Sequence, residues 1–175
     1  WTDMGSQTAW LRRDLASSSP WKFAAFHHPP FTADRKSPGG NLAIRDEWCD
    51  ILSENGVNAV YNAHTHAYER YRIEGTEYIV IGCGGAPFYP LADDKPKGYQ
   101  MSREETLGYI RVTVNPESVI MEMVPVAEFA ENGEVTMYPR ETVIDTVRLS
   151  APASDEWWEV LISLPGLSEF SELWR

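Results

Sequence analysis

All four histidines of the chain lie in two short stretches, Phe26–Phe31 and Asn62–Arg70, and none occurs elsewhere in the 175 residues. Imidazole is a common ligand of zinc, iron and related transition metals. In an extended segment or a loop, two imidazoles one residue apart can each reach one of two neighbouring metals, whereas on a helix they would diverge. Because metal–nitrogen distances near ~2.0–2.1 Å leave little slack, both stretches are predicted to end rigid strands.

Each histidine stretch follows an apolar segment. Trp21–Phe26 is predicted to be a buried strand that stops at Pro29, because proline cannot donate to a ladder. Val57–Tyr61 is predicted to be a short strand that delivers His64 and His66 at its tip. Strand tips are the usual place for site residues in layered α/β folds, so the two tips are expected to be neighbours.

The other segments predict helices before these strands and a strand-rich remainder. Gln7–Ala16 and Leu42–Glu54 have helical spacing, the second with Ile44, Trp48, Ile51 and Leu52 inward and Gly56 at its end, and Thr32–Asn41 is predicted to be a mobile surface loop. From Tyr68 onward the apolar period is two, which predicts successive strands of one sheet. Those strands are 71–73, 78–81, 109–114, 119–124 and 143–149, with turns at Asn115–Glu117 and Asn132–Gly133.

Composition sets broad limits. With 43% hydrophobic residues the chain can bury a core and is consistent with one globular domain. The net charge of −11 argues against nucleic acid or an anionic membrane as the main partner, because both would be repelled. An anionic substrate would need local cations, which a metal pair can supply. Cys49 and Cys83 are too few for a disulfide framework or a four-sulfur metal site.

The histidine stretches with their flanks resemble the calcineurin-like metallophosphoesterases, especially the purple acid phosphatase branch. The resemblance extends over about residues 5–149. Its parts are the helix at Gln7–Leu11, the string His27-His28-Pro29-Pro30-Phe31, the string Ala63-His64-Thr65-His66-Ala67-Tyr68-Glu69-Arg70, the glycine-rich loop Gly82–Pro90 and the closing strands 107–149.

Several family motifs are not found in this sequence: Asp-x-His, Gly-Asp and Gly-Asn-His-Glu or Gly-Asn-His-Asp. By the resemblance, the chain is expected to be the C-terminal half of a four-layer α/β/β/α sandwich, mostly one mixed sheet with flanking helices. Residues 1–150 would form that half-domain and 151–175 an amphipathic C-terminal extension, packed on its own sheet or contacting a missing half. No catalytic residue is identified in this chain, since the acid histidine and the bridging aspartate are expected in the missing N-terminal half.

The resemblance implies two divalent or trivalent metal ions, iron, zinc or manganese, with His27 and His64 on one and His66 on the other. His28 is expected to face away from the metals, because adjacent strand residues point to opposite sides, or else to orient the metal ligands or contact substrate. Tyr68, Glu69 and Arg70 are expected either to hold the ligand loop, with Glu69 and Arg70 paired, or to form a surface salt bridge.

Two loops are candidates for contact with substrate. Gly84 and Gly85 lie in the segment predicted either as a rim of the substrate cleft or as a plain turn. The loop after Pro30 holds Arg35 and Lys36 where many relatives have a histidine, so these cations either contact phosphate or are solvated.

The function that the resemblance implies is hydrolysis of small phosphate esters, monoesters or diesters, by a dinuclear metal centre to which this chain supplies the histidine-rich half. The isolated chain is expected to be inactive or nearly so. The alternatives are a noncatalytic metal-binding or scaffold remnant, and a structural domain without metal. The expected partners are a phosphate-ester substrate and a missing half or second subunit, not nucleic acid or membrane, and relatives of this branch are often secreted or periplasmic.

Overall fold

The computed structural model describes residues 3–17 and 19–151. Within them lie α1 Met4–Leu15, β1 Phe23–Ala25, α2 Leu42–Glu54, β2 Ala59–Asn62, β3 Tyr68–Ile73, β4 Thr76–Ile81, β5 Tyr99–Arg103, β6 Thr106–Val114, β7 Ser118–Phe129, β8 Val135–Met137 and β9 Asp145–Ser150. Neither of these helices has the length and apolarity needed to cross a bilayer. The predicted C-terminal extension lies outside the described residues beyond Ala151.

Both predicted helices are confirmed, and each begins at a capping side chain. The Asp3 carboxylate accepts a hydrogen bond from the Ser6 amide at 3.0 Å, and the Asn41 side chain accepts one from the Ile44 amide at the same distance. Such caps satisfy amides that have no partner inside the helix. Helix α2 has the predicted bounds, and its buried face carries the predicted residues Ile44, Trp48, Ile51 and Leu52.

The first sheet has five strands in the order β1–β2–β4–β3–β5, in which β1, β2 and β4 are parallel and β3 is antiparallel to both of its neighbours, β4 and β5. It is mixed, as expected. The prediction of a buried strand over Trp21–Phe26 is wrong in length and burial, since β1 has three residues and Phe23 is 39% exposed. Among the described strands β1 pairs with β2 alone, so it lies at the edge of this sheet. An apolar run in the sequence does not show whether a strand is central or at an edge.

The strands after β5 form a second sheet instead of continuing the first. In it β7 pairs with β6, β8 and β9, all antiparallel. The prediction of one sheet from Tyr68 onward is therefore wrong, because period-two spacing identifies strands but not their partners. The two predicted turns are confirmed. Asn115 and Ser118 exchange hydrogen bonds between β6 and β7, and Gly133, with φ of +83°, lies in the turn between β7 and β8.

The described elements stack as three layers, helices on the first sheet and the second sheet on its other face. One core lies between helices and sheet, where Trp48 and Leu52 pack with Val60 and Tyr78. The other core joins the two sheets: Ala59, Tyr68, Ile79, Cys83, Val119, Met121, Met123 and Val147. Successive residues of one strand, such as Tyr78 and Ile79, serve opposite cores because strand side chains alternate. The mixed α/β class predicted from the sequence is confirmed.

The first part of the loop over Thr32–Asn41 is not the predicted mobile surface segment. Thr32, Ala33 and Asp34 are each 1% exposed, and Asp34 forms an isolated β-bridge with Leu91. Polar composition favours a solvated loop, but the Thr32 hydroxyl and the Ala33 amide have buried hydrogen-bond partners, described below.

Candidate metal centre

The two histidine stretches directly follow the parallel strands β1 and β2, whose carboxyl ends meet at one edge of the sheet. The strand tips are neighbours, as the sequence predicted. The Ala63 amide donates to the His27 carbonyl at 3.0 Å, and the Asn62 side-chain amide donates to the Phe26 carbonyl at 2.8 Å. These bonds hold the two loops side by side.

Three imidazoles converge at this edge. His27, His28 and His64 each offer a ring nitrogen, and these nitrogens all lie within 4.8 Å of one another. The ring centroids of His28 and His64 are 4.2 Å apart, and that of His27 lies 5.0 Å and 5.2 Å from the other two. Three imidazole nitrogens are the donor set of a common type of zinc site. The residues present therefore fit one metal ion.

His28 lies in this cluster, which corrects the expectation that it faces away. Strand β1 ends at Ala25, so the alternation of side chains in a strand no longer applies at His27 and His28. Burial lowers the pKa of His28, and the nearby charges of His64 and His27 lower it further. A lower pKa favours the neutral imidazole, which is the form that binds metals.

The backbone of His64 is held in an unusual conformation. Its φ is +61°, in the left-handed region that residues other than glycine rarely adopt. Strain of this kind costs about 1–3 kcal/mol and is typical of functional sites. Two residues earlier, the buried Oδ1 of Asn62 has no hydrogen-bond partner within the described part of the chain. Both features indicate that this turn is not arranged for stability alone.

His66 lies outside the cluster of three and is held by the glycine-rich loop. Its Nδ1 is 2.6 Å from the Pro87 carbonyl oxygen, and its ring stacks on Tyr89 with centroids 4.1 Å apart. Because a carbonyl oxygen can only accept, Nδ1 carries the proton and Nε2 is the nitrogen available in the neutral ring. The role of His66 as a metal ligand stays a prediction.

The glycine-rich loop approaches the histidines closely at one end. A Cβ on Gly82 would lie 2.0 Å from the Thr65 carbonyl oxygen, whereas one on Gly84 would meet nothing within 4 Å. Gly84 and Gly85 are exposed, and their predicted place at a substrate rim stays a prediction.

Gly82→Ala should therefore destabilise the protein, because the added methyl group would displace the backbone between His64 and His66. We expect a loss of at least about 2 kcal/mol in the free energy of unfolding, measured by urea denaturation with circular dichroism. Gly84→Ala in the same loop is the matched control and should change it by less than about 0.5 kcal/mol. Equal effects of the two changes would contradict this account.

The predicted pair of Glu69 and Arg70 is wrong, because neighbouring strand residues point to opposite faces. Arg70 faces the second sheet. There its Nε and Nη2 donate to the two oxygens of Asp145 at 2.7 and 3.0 Å, and its Nη1 lies 3.2 Å from Glu77. Tyr68 also donates to Asp145, at 2.7 Å. Tyr68 and Arg70 thus join the strand after the histidines to β9.

Arg35 and Lys36, in the loop after Pro30, contact the glycine-rich loop and the residue that follows it. Arg35 Nε donates to the Leu91 carbonyl at 3.0 Å, and Lys36 Nζ lies 4.8 Å from the ring centroid of Tyr89, the ring that stacks on His66.

Beside His28 and His64 is a cavity of about 250 Å³ at the N-terminus of α2. Its other lining residues are Pro29, Thr32, Ser37, Gly40, Asn41 and Leu42.

Sequence reasoning missed four residues that matter here: Thr32, Thr65, Asn62 and Asp145. Asp145 carried no usable signal, because polar and charged residues alternate with apolar ones along β9. The two threonines and the asparagine carried none beyond their closeness to histidines.

Comparison with known proteins finds similarity to one family over part of the chain. Residues 2–68 match the family model described as calcineurin-like phosphoesterase. Purple acid phosphatase 15 of Arabidopsis thaliana is 34% identical over 91 residues, which is 45% of this chain and 17% of that protein. Over this part of its sequence, the chain is similar to the purple acid phosphatases.

The fold agrees with this relationship. Purple acid phosphatase PPD1 from yellow lupin superposes with a TM-score of 0.71 at 16% identity, over 87% of this chain and 29% of PPD1. GAP50, described as the anchor in the inner membrane complex of Plasmodium, has a TM-score of 0.62 at 14% identity, over 87% of this chain and 42% of GAP50. The chain thus has a purple acid phosphatase fold and spans less than half the length of each of these proteins.

Proposed function

We propose that this chain forms part of the metal centre of an enzyme that hydrolyses phosphate esters. The observation that carries the proposal is the convergence of His27, His28 and His64 at the ends of two parallel strands, in a relative of the purple acid phosphatases. Metal-dependent phosphate chemistry is what the family name describes.

In this proposal the three clustered imidazoles hold one ion through neutral nitrogens, and Nε2 of His66 is available to a second. When bound, the metal would act as a Lewis acid toward a phosphoryl oxygen and lower the pKa of a water molecule. Pro29 and Pro30 restrict the loop that carries His27 and His28. Imidazole ligands suit iron, zinc and other transition metals alike, so they do not select one.

The cavity beside His28 and His64 is where the phosphate group would lie. Its wall includes the start of α2, where the dipole of the helix favours an anion. Local attraction of this kind is needed because the whole chain carries a net charge of −11. The proposed partner is a small phosphate ester, with neither nucleic acid nor membrane as a partner.

Phosphate binding tests the proposal without requiring turnover. The chain loaded with Co²⁺ should broaden the ³¹P resonance of inorganic phosphate, because bound phosphate would lie beside a paramagnetic ion. The controls are the metal-free chain in EDTA and His64→Gly treated with Co²⁺ in the same way, with unbound Co²⁺ removed from both Co²⁺-treated proteins by gel filtration. Both controls should leave the resonance narrow. Equal line widths for the unchanged chain and His64→Gly would refute the proposal.

The second candidate is a noncatalytic metal-binding or scaffold role. It is favoured by the cluster itself, which among the described residues includes three histidines and no carboxylate, since three histidines and water suffice for zinc. The fold neighbour GAP50, described as an anchor, has the same architecture. Tight Co²⁺ binding without any effect on the phosphate resonance would favour this role.

A further inference from the structure

Glu69 is a fully buried carboxylate three residues after His66. Its exposure is 0%, and within the described part of the chain it takes part in no ion pair. Burial raises the pKa of the Glu69 carboxyl, and hydrogen bonds from Thr32, Tyr71 and the Ala33 amide oppose that rise only in part. A buried charge without a counter-ion is costly, and an apolar side chain would fill the space more cheaply.

The hydrogen bonds of Glu69 come from the first histidine loop and from its own strand. Oε1 accepts from the Thr32 hydroxyl at 2.5 Å, and Oε2 accepts from the Ala33 amide at 2.8 Å and the Tyr71 hydroxyl at 2.5 Å. Three donors thus converge on two oxygens. An apolar or amide side chain could not satisfy all of them.

The Thr32 hydroxyl extends these bonds to the second histidine loop. It has one proton, which it donates to Oε1 of Glu69, so it must accept from its other partners. These are the Asp34 amide at 3.1 Å and the Thr65 hydroxyl at 3.0 Å. The directions of the bonds are therefore fixed: Thr65 donates to Thr32, and Thr32 donates to Glu69.

The positions of these residues relate Glu69 to the histidines. Thr65 lies between His64 and His66, and Thr32 lies four residues after His28. His64 has a positive φ, so its position depends on groups that hold the turn from outside. The Thr65 hydroxyl is one such group, and both threonines are buried, at 0% and 1% exposure.

We propose that Glu69 is a positioning residue that fixes the separation of His28 and His64 through Thr32 and Thr65, and thereby sets the affinity of the site for metal. This role rests on the proposed function, in that the histidine cluster binds a metal ion. Partners that orient metal ligands typically contribute 10–100-fold to metal affinity, which gives the size of the expected effect.

The test is zinc affinity by calorimetry, together with the visible spectrum of bound Co²⁺, which reports ligand geometry. Glu69→Gln should weaken zinc binding about 10–100-fold and alter the Co²⁺ spectrum, because the amide has one accepting oxygen for three donors. Thr32→Val, which removes the hydroxyl at nearly constant volume, should have the same effect. Thr32→Ser keeps the hydroxyl and should bind zinc like the unchanged chain.

Glu77→Gln is the matched control. Glu77 is also buried, at 1% exposure, and lies in the adjacent strand β4, but it pairs with Arg70 and Arg72. Its change should leave zinc affinity and the Co²⁺ spectrum unaltered even if the protein becomes less stable. Unchanged affinity in both Glu69→Gln and Thr32→Val, or an equal loss in Glu77→Gln, would overturn the role of Glu69. Failure of the unchanged chain to bind zinc would instead refute the proposed function, and this role with it.

Discussion

Replacing His64 with glycine should abolish specific zinc binding and leave the metal-free protein at least as stable as before. The imidazole of His64 is one of the three whose nitrogens converge, and two remaining imidazoles do not make a closed site. We expect the zinc dissociation constant to rise at least about 100-fold. Loss of a residue that only orients a metal ligand typically raises it about 10–100-fold. The measurement is calorimetric titration of both proteins with zinc.

The expected effect of His64→Gly on stability follows from the backbone conformation at this position. With φ of +61°, any residue with a Cβ at position 64 costs about 1–2 kcal/mol that glycine does not. His64→Ala is the matched control: it should lose zinc to the same extent but remain about 1 kcal/mol less stable than His64→Gly in urea unfolding. Zinc binding by His64→Gly within threefold of the unchanged chain would show that the cluster is not the metal site.

Arg70→Met should be the most destabilising single change in the strand that follows the histidines. It would leave Asp145, whose side chain is 10% exposed, without its cation, and would remove one of the two partners of Glu77. Breaking a buried ion pair from one side typically costs about 3–5 kcal/mol. We expect a loss of this size in the free energy of unfolding at pH 7, measured by urea denaturation.

Arg72→Met is the control for this prediction, because the Arg72 side chain is 56% exposed and Glu77, at 3.5 Å, is its one ion-pair partner among the described residues. It should cost less than about 1 kcal/mol. A similar loss for both variants would show that the contacts of Arg70 with Asp145 add nothing.

Acid should reduce the contribution of Asp145 to the free energy of unfolding. Burial alone would raise the pKa of Asp145, but hydrogen bonds from Arg70 and Tyr68 and the charge of Arg70 outweigh it, so the pKa lies below its ordinary value. A carboxylate whose pKa is lowered on folding contributes its full stabilisation above the pKa of the unfolded chain, about 3.9. That stabilisation is lost as the pH falls through the pKa of the folded state. The difference between the unchanged chain and Arg70→Met should therefore shrink below about pH 4.

Much of the fold could be predicted because local rules determine it. The bounds of α2 follow from the Asn41 cap and the spacing of Ile44, Trp48, Ile51 and Leu52, and the turn at Asn115 follows from its residue types. The division into two sheets could not be predicted. Alternation of apolar residues gives β7 its buried face but does not identify the partner of each strand.

The site shows the same limit. The placement of histidines at two strand tips could be predicted, since both stretches follow apolar runs. The convergence of His28 could not, because it depends on β1 ending at Ala25. Alternation within β3 could have shown that Glu69 and Arg70 face opposite sides of the sheet. Their partners, Thr32 and Asp145, were identifiable only from the packed structure.

The parallel pairing of β1 with β2 has a consequence for folding kinetics. Phe23 pairs with Ala59, so the histidine cluster forms only when segments 36 residues apart have come together in register. A shift of one residue would turn every side chain of β1 to the opposite face. Pairing of distant segments is slow compared with helix formation. In stopped-flow refolding with Co²⁺ present, the appearance of the bound-ion spectrum should therefore time this one long-range step and follow the helical signal.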